Sequence, residues 1–353
     1  MRSFRRAETL DPVPGDVVGV LRRIDLAAGA ESSHADQVPQ LLVALRSEAR
    51  VESITASSAI EGVVVDEARV PKLVSGGPGR VRNRSEAEFA GYSAALDHLH
   101  AVEQGPLSVG LILHLHRLLF SYSDAGGGAL KDGDNLVVDQ HADGSRVVRF
   151  EPVSAQQTPF FIEELVARTN GAIDDGHQHP LIVTAAFVLD FLCVHPFVDG
   201  NGRVARLLTS HLLAQAGYGV GHYVSVEQLI YETRDDYYTS LRASTAGWFD
   251  DGNHDVWPWV RYLVARCDEA YVRFQERVTA GRSGGTKQDR VRDYVLLHAP
   301  GSFTIAEVRR AVPGVSDNTI RLVLSALKAA GAIRNDGTGR SARWHRVHPA
   351  PVS

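Results

Sequence analysis

Cysteine and long apolar runs are both scarce in this 353-residue sequence, and their scarcity argues against several protein classes. The two cysteines, Cys193 and Cys267, provide neither a disulfide framework nor the spacing of a metal site, which favours a reducing, cytoplasmic compartment. No apolar segment follows the basic N-terminal residues, so a secretory signal is not expected. The longest apolar stretch, 181–194, is shorter than the roughly 20 residues that cross a membrane, and Asp190 interrupts it. We therefore expect no membrane association and predict a core helix at 181–194.

The net charge of −5 conceals an uneven distribution. Residues 282–348 carry twelve Lys and Arg against five Asp and Glu, so the remainder of the chain carries a net charge of −12. A basic segment attached to an acidic body predicts separate modules, and the basic one is a candidate for nucleic-acid binding.

Helical patterns dominate the chain, and no internal repeat is visible. Apolar residues recur at helical spacing from about Gln37 to Ile60, and Gly62 predicts the end of that helix. Further helices are predicted over about 86–103, 108–121, 159–173, 180–194, 203–216, 226–231, 234–244 and 254–280. Residues 126–152 differ, because two short β-rich runs flank a loop with Asp143 and Gly144, which indicates a hairpin. The sequence thus predicts a mainly α fold with one small β-hairpin.

Small, flexible residues at 280–286 predict a linker to a C-terminal module. The helical patterns beyond it cover about 287–298, 304–312 and 316–330, and a basic two-stranded pattern follows. This order predicts a winged-helix domain over 286–348. Its third helix and a wing containing Arg340 and Arg343 suit DNA, but winged helices also dock proteins or support a homodimer, so both alternatives stay open.

The sequence HPFVDGNGRVAR, residues 195–206, directly follows the apolar stretch and gathers polar side chains that packing does not explain. Pro196 lacks a backbone donor and disfavours a helical conformation in the residue before it, so the chain must leave the helix at His195. Gly200 and Gly202 permit a tight turn with exposed amides at the start of the next helix, where the helix dipole adds to their attraction for phosphate. We therefore predict an anion-binding loop.

The side chains around this loop suit a phosphorylated ligand. Arg203 and Arg206 share a helix face, where two guanidinium groups can bind a polyphosphate. Asp199 would be repelled by phosphates unless a Mg²⁺ ion lay between them. His195 is the one residue here whose ordinary pKa lies near neutrality, which suits a general base toward a hydroxyl nucleophile. A packed histidine and a simple Asn-Gly turn are the structural alternatives, and the joint occurrence of these residues favours the site.

At this motif the sequence resembles the Fic domain signature HxFx(D/E)GNxRxxR, and every fixed position is met. The resemblance extends over about residues 40–280 and implies a Fic-type helical bundle. It also implies transfer of AMP from ATP to a Ser, Thr or Tyr hydroxyl of a target protein, with His195 as the base and Asp199 holding Mg²⁺. The residues that it implies for the ATP phosphates are Gly200, Asn201, Gly202, Arg203 and Arg206.

By the same resemblance, the hairpin at 126–152 is the family's flap, which positions a target peptide by strand addition. Tyr238 lies where the family often places an aromatic residue near the base, although ordinary packing explains Tyr237 and Tyr238 equally well. Lys131 replaces the arginine that many relatives carry in the flap, so individual flap contacts are not transferred to this chain.

The stretch SSAIEG, residues 57–62, matches a second family pattern, the inhibitory sequence (S/T)xxxE(G/N), through Ser57, Glu61 and Gly62. Ser57 and Glu61 are four residues apart and share a helix face. Without the resemblance Glu61 is an ordinary surface acid, although an acid in the last helical turn opposes the helix dipole and favours a cationic partner. The resemblance implies that this partner is Arg206 and that the inhibition is intramolecular.

These observations predict an N-terminal helical region at 1–104 with an inhibitory helix at about 40–62, a catalytic core at 105–280 and a winged helix at 286–348. The expected function is that of a protein adenylyltransferase inhibited by its own Glu61. Two alternatives stay open. One is a DNA-binding regulator whose core senses a nucleotide, and the other is a Fic enzyme that uses another nucleotide, phosphorylates its target or removes AMP.

Overall fold

The computed structural model describes residues 2–4, 12–35, 39–74, 81–101, 105–140, 146–250, 253–282, 287–337 and 342–347. The chain divides into two compact units. The first comprises Met1–Leu26, Arg50–Gly221 and Ser225–Ala270, and the second comprises Ala27–Ala49, His222–Val224 and Tyr271–Ser353. The domain borders predicted at 104, 280 and 286 stay predictions. None of the described helices is long and apolar enough to cross a membrane.

Helices form most of the described chain up to residue 282. In order they are α1 Gly15–Ala35, α2 Pro39–Ile60, α3 Val70–Val74, α4 Arg84–Ala101, α5 Val109–Leu119, α6 Thr158–Asp175, α7 Pro180–Val194, α8 Asn201–Gln215, α9 Val226–Glu232, α10 Arg234–Thr245 and α11 Trp257–Arg282, with a 3-10 turn at Gly219–His222. The predicted mainly α architecture is confirmed. The sequence pattern missed α1 and the short helix α3.

Almost all residues of helix α7 are buried, which shows that the helix lies in the interior of the first unit. Pro180 begins the helix, where its missing N–H group has no cost, and the His179 side chain caps it by accepting the Leu181 N–H. The helix packs against α6, α8 and α10. Asp190, which interrupts its apolar sequence, is fully buried and accepts hydrogen bonds from the Ser3 hydroxyl and the Trp248 indole. The prediction of a core helix is therefore confirmed.

The predicted hairpin is present as strands β1 Val137–Gln140 and β2 Arg146–Phe150, which pair antiparallel with Val138 opposite Val148. The predicted turn residues Asp143 and Gly144 lie outside the described residues. Val138 and Val148 are both exposed, so the hairpin presents uncovered apolar side chains.

The described residues beyond 286 form a small mixed fold with its own core. Its elements are α12 Lys287–Asp293, a π-helical turn at Tyr294–His298, β3 Ser302–Phe303, α13 Ile305–Ala311, α14 Asp317–Ala329, β4 Ile333–Asp336 and β5 Arg343–Arg346. The strands make an antiparallel sheet in the order β3-β5-β4, and Phe303, Leu324 and Trp344 are among the buried core residues. Strand β3 was not expected from the sequence, and Arg340 of the predicted wing lies outside the described residues.

Candidate active site

The loop after α7 is shaped by one left-handed histidine and one glycine. His195 has φ 50°, which makes it the one non-glycine residue with a positive φ in the described part of the chain. Such a conformation costs about 1–2 kcal/mol. Gly200 has φ 82°, and a Cβ atom there would lie 2.8 Å from Leu119 Cδ2. The positive φ is what favours glycine here, and α8 begins at the next residue.

Asn201 holds the loop together from the first turn of α8. Its side-chain oxygen accepts the Phe197 N–H at 2.9 Å, and its side-chain nitrogen donates to the Phe197 carbonyl at 2.8 Å. The amide is therefore committed to the loop backbone, and its part in an anion site is to shape the loop.

His195 has one ring nitrogen committed to the backbone. Because a carbonyl can only accept, Nδ1 donates its proton to the Leu192 carbonyl at 3.2 Å, and the neutral ring presents Nε2 as its acceptor. Burial is the main reason that the pKa of His195 falls to about 4, and the positive charge of Lys131 lowers it further. The imidazole is therefore neutral at physiological pH and able to accept a proton.

The structure brings Ser57 and Glu61 of the SSAIEG sequence into contact with Arg206, the partner that the resemblance implies. Arg206 donates through Nε to the Ser57 hydroxyl at 2.8 Å and through Nη2 to the Ser57 carbonyl at 3.0 Å and Glu61 Oε1 at 2.8 Å. The Arg206 side chain is 4% exposed, whereas that of Glu61 is 33% exposed. The ion pair is thus half shielded from water.

Gly62 ends helix α2 in a way that fixes Glu61. The Val63 N–H bonds to the Ser58 carbonyl, the Gly62 N–H bonds to the Ala59 carbonyl, and Gly62 has φ 76°. This pattern of two bonds is the Schellman motif, which needs a left-handed residue after the helix. Glu61 is the C-cap residue, so the turn directs its carboxylate toward α8. A Cβ atom on Gly202 would overlap Glu61 Oε1, so the carboxylate lies against the first turn of that helix.

Arg203 is paired with a residue that the sequence did not single out. Its Nη1 donates to Glu88 Oε2 at 2.6 Å, and its side chain is almost fully buried. Arg84 donates to the other oxygen of Glu88 at 2.6 Å and reaches Asp199 Oδ2 at 3.4 Å. Asp199 itself is about half exposed and accepts the Gly200 N–H. The spacing of Arg84 and Glu88, four residues apart, was the available signal for their pairing.

A cavity of about 330 Å³ lies beside the first turn of α8. Its lining includes Glu61, Gly62, Arg84, Glu88, Asp199 and Arg203. The volume is that of a small-ligand site, and the walls combine guanidinium groups, carboxylates and the start of α8. The buried Nη1 of Arg206 and Nε of Arg203 have no hydrogen-bond partner among the described residues, and phosphate oxygens are the acceptors that would complete them.

His116 also supports the loop, and the sequence reading missed it. Its Nδ1 accepts the Gly128 N–H at 2.8 Å, its Nε2 donates to the Asp199 carbonyl at 3.1 Å, and its ring stacks on Phe197 at a centroid distance of 3.7 Å. Helix α5 therefore helps to fix the peptide of Asp199. A histidine on an apolar helix face gives no sequence signal for this role.

Tyr238 lies beside the C-terminal end of helix α2. Its hydroxyl donates to the Ile60 carbonyl at 3.4 Å, one residue before Glu61. Tyr237 is buried and packs edge-on against Trp259 and Tyr262. From the hairpin, the ring of Phe150 approaches His195, with a centroid distance of 6.3 Å.

Comparison with known proteins identifies relatives of the region that carries the motif. Residues 106–213 match the model of the Fic/DOC family. The chain is 29% identical over 228 residues to protein adenylyltransferase fic-1 of Caenorhabditis elegans, a match that covers 61% of this chain and 39% of that protein. It is 35% identical over 94 residues to protein adenylyltransferase Fic of Nematostella vectensis, which covers 27% of this chain and 19% of that protein. The chain thus spans about two-fifths of the length of the first of these relatives.

The fold has a close counterpart among solved structures. The crystal structure of a Fic family protein from Desulfovibrio desulfuricans superposes with a TM-score of 0.62 at 20% identity, covering 97% of this chain and 98% of that chain. This likeness establishes a Fic-type helical fold with a small hairpin.

Proposed function

We propose that this chain transfers AMP from ATP to a hydroxyl group of a target protein, because its residues 106–213 match the model of the Fic/DOC family. The observation that carries the proposal is the state of His195, a neutral imidazole whose Nδ1 is held by Leu192. With Nδ1 bonded to Leu192, Nε2 is the ring nitrogen that can accept a proton. The names of the relatives, protein adenylyltransferases, support the same reaction.

In the proposed reaction, His195 Nε2 removes the proton from a Ser, Thr or Tyr hydroxyl of the target. The hydroxyl oxygen forms a bond to the α-phosphorus of ATP while the bond from that phosphorus to the β-phosphate bridging oxygen breaks, so pyrophosphate leaves with the electron pair. Arg206, Arg203 and the first amides of α8, in the segment Gly200, Asn201 and Gly202, bind the anionic phosphates. We assign Tyr238, whose hydroxyl donates to the Ile60 carbonyl, to the border of the nucleotide site.

Asp199 is the residue that would hold Mg²⁺. A single half-exposed carboxylate at the cavity fits this ion, because Mg²⁺ is commonly bound by one or two carboxylates together with substrate phosphates. Among the described residues no cluster of three or more potential metal ligands exists, so the phosphates would complete the coordination. When bound, the ion would neutralise phosphate charge.

We further propose that the enzyme inhibits itself through Glu61. The carboxylate pairs with Arg206 and lies against Gly202, two of the groups proposed above to bind the phosphates of ATP. In this arrangement Nε and Nη2 of Arg206 are bonded to Ser57 and Glu61, so the guanidinium cannot turn to align ATP and the nucleotide can bind without reacting. Ser57 and Gly62 maintain the pair, Ser57 by its bonds to Arg206 and Gly62 by the turn that aims Glu61.

The partner surface for the target is the β1–β2 hairpin, whose β2 strand ends at Phe150 beside the base. We propose that a target segment adds to the edge of this hairpin and brings its hydroxyl to His195. The free thiols Cys193 and Cys267 support a reducing, cytoplasmic setting for the reaction.

A DNA-binding role for the C-terminal region is the second candidate. The order of three helices and the antiparallel sheet β3-β5-β4 support a winged helix, and Arg321 and Lys328 are exposed on α14. These basic side chains suit phosphate contacts.

The test of the main proposal is incubation of the Glu61→Gly variant with ATP labelled on the α-phosphate and cell lysate, followed by gel autoradiography. We expect labelled protein bands with Glu61→Gly and none with the double variant Glu61→Gly/His195→Ala, because loss of a general base typically costs about 10²–10⁴ in rate. Label that enters protein only from γ-labelled ATP would indicate phosphorylation, and label from another nucleotide would identify a different donor. Equal labelling by the double variant would remove His195 as the base.

A further inference from the structure

The segment 131–135, which precedes strand β1, is bonded to the backbone on both sides of His195. The Lys131 N–H donates to the Pro196 carbonyl at 2.9 Å, and the Lys131 ammonium donates to the Val194 carbonyl at 3.2 Å. Asn135 Nδ2 donates to the Phe197 carbonyl at 3.1 Å. Three carbonyls around the proposed base are therefore held by one short segment.

Lys131 and Asn135 also bond to each other. The ammonium donates to Asn135 Oδ1 at 2.8 Å, so the two side chains form one unit rather than separate contacts. Lys131 is only 4% exposed. Burial lowers the pKa of Lys131 to about 8. A buried cation in this position has a favourable partner, because the last carbonyls of helix α7 lack intrahelical bonds and carry partial negative charge.

The geometry of His195 needs such support. A left-handed conformation at a non-glycine residue persists only where the surroundings determine it, and Pro196 has no N–H with which the loop could stabilise itself. The side chain of Asn201 holds Phe197 from one side, and segment 131–135 holds Val194, Pro196 and Phe197 from the other.

We propose that Lys131 is a positioning residue for His195, which holds the base in its left-handed conformation and couples it to the hairpin. The proposal rests on AMP transfer as the reaction of this site. Asn135 stands two residues before β1, so the strand that faces the target and the base that takes its proton are positioned by the same segment. Lys131 touches neither the nucleotide nor the target hydroxyl in this role.

The test compares Lys131→Met, Lys131→Arg and Asn135→Ala in the Glu61→Gly protein, with Lys72→Met, an exposed lysine on α3, as the matched control. We expect Lys131→Met to lower kcat for AMP transfer by about 10–100-fold, because small displacements of a reacting group are costly. The Kd of a fluorescent ATP analogue should stay within about twofold of the parent, since the phosphate ligands are elsewhere. Lys131→Arg should restore kcat to within about fivefold, and Lys72→Met should match the parent.

The pH profile separates positioning from a general loss of structure. The charged groups that face His195 are Lys131, Glu61 and Asp199, and Glu61 is absent from the test background. Removing the positive charge of Lys131 raises the pKa of His195, so the acid limb of kcat/KM moves to higher pH in Lys131→Met. Lys131→Arg and Asn135→Ala keep the charge and should leave the limb in place, although Asn135→Ala should lower kcat.

The inference is overturned if Lys131→Met has the kcat of its parent, or if kcat and nucleotide affinity fall together with no change in the acid limb. Should Lys131→Met fail to fold, Asn135→Ala carries the test, and an unchanged kcat in that variant overturns it. A parent Glu61→Gly protein without any transfer would contradict the proposed function instead. The two failures are therefore distinguishable.

Discussion

At residue 195 the proposed chemistry depends on the protonation state of the imidazole in the folded protein. A proton acceptor must be neutral, and burial lowers the pKa of His195 to about 4. Protonation of His195 therefore requires a pH near 4, and the imidazole stays neutral from pH 8 down to about pH 6. An exposed histidine with an ordinary pKa would already lose part of its base form at pH 6.

We therefore expect kcat/KM of the Glu61→Gly enzyme to be flat on the acid side between pH 8 and pH 6 and to fall only below about pH 5. The pH dependence of kcat/KM reports the pKa values of the free enzyme, so it is the quantity to compare with a structure that holds no substrate. Initial rates with labelled ATP across this range check the expectation. An acid limb centred near pH 6.5 would contradict the shielding of His195 by burial.

At residue 61 one carboxylate is expected to control the rate. If the half-shielded pair with Arg206 favours the unproductive arrangement by about 2–3 kcal/mol, Glu61→Gly should raise the rate about 30–150-fold. Initial rates measured over a range of ATP concentrations check this, because a pure gain in ATP affinity would vanish at saturation.

Two variants test whether activation by Glu61→Gly comes from loss of the ion pair with Arg206. Glu67→Gly removes an exposed acid outside the pattern and should leave the rate within about twofold of wild type, because exposed charges contribute little. Arg206→Ala breaks the same pair but should not activate, since the proposal assigns the same guanidinium to ATP. A Glu61→Gly rate equal to wild type would leave the SSAIEG sequence as an ordinary helix end.

At the scale of elements, helix α2, which leads to Glu61, is bonded to a buried carboxylate on another helix. Glu227, at the start of α9, accepts hydroxyl hydrogen bonds from Ser53 on α2 at 2.9 Å, Tyr92 on α4 at 3.2 Å and Ser210 on α8 at 3.3 Å. Its side chain is buried together with those of Ser53 and Tyr92. One residue thus connects the helix of Glu61 to the helix of Arg206.

We expect Ser53→Ala to loosen α2 by about 1 kcal/mol, the usual contribution of one such hydrogen bond, and to activate transfer by up to about fivefold. Ser47→Ala, on an exposed position of the same helix, is the matched control and should change neither stability nor rate appreciably. Thermal denaturation and the labelled-ATP assay provide both measurements. Activation by Ser47→Ala equal to that by Ser53→Ala would exclude the Glu227 contact as the cause.

At the scale of the whole molecule, the basic C-terminal region sets an expectation for DNA. If it binds DNA, the affinity of the full chain for a labelled duplex should fall steeply between about 50 and 200 mM salt, because bound lysines and arginines release condensed counterions. Arg321→Ala on α14 should weaken binding and reduce that salt dependence, whereas Lys72→Ala outside the region should not. Fluorescence anisotropy measures both. No binding at low salt would favour protein docking for this region.

The fold and much of the candidate site were accessible from sequence because their signals are local. The apolar run of α7, the proline after His195 and the glycine at 200 act through neighbouring residues, so the helix, the loop and the start of α8 follow from the chain itself. The same holds for the end of α2, where Gly62 supplies the left-handed residue of the helix terminus.

What only the tertiary structure decided are the contacts between residues far apart in the chain. Glu88 pairs with Arg203, His116 bonds to the Asp199 carbonyl, and Lys131 bonds to the Val194 carbonyl, across sequence separations of 115, 83 and 63 residues. No periodicity or spacing reveals such pairs, because they exist only after the helices pack. The sequence determined that a tight loop and a helix with two arginines follow a buried helix. The packing of α2, α4 and α5 around them determined which partner each of their side chains meets.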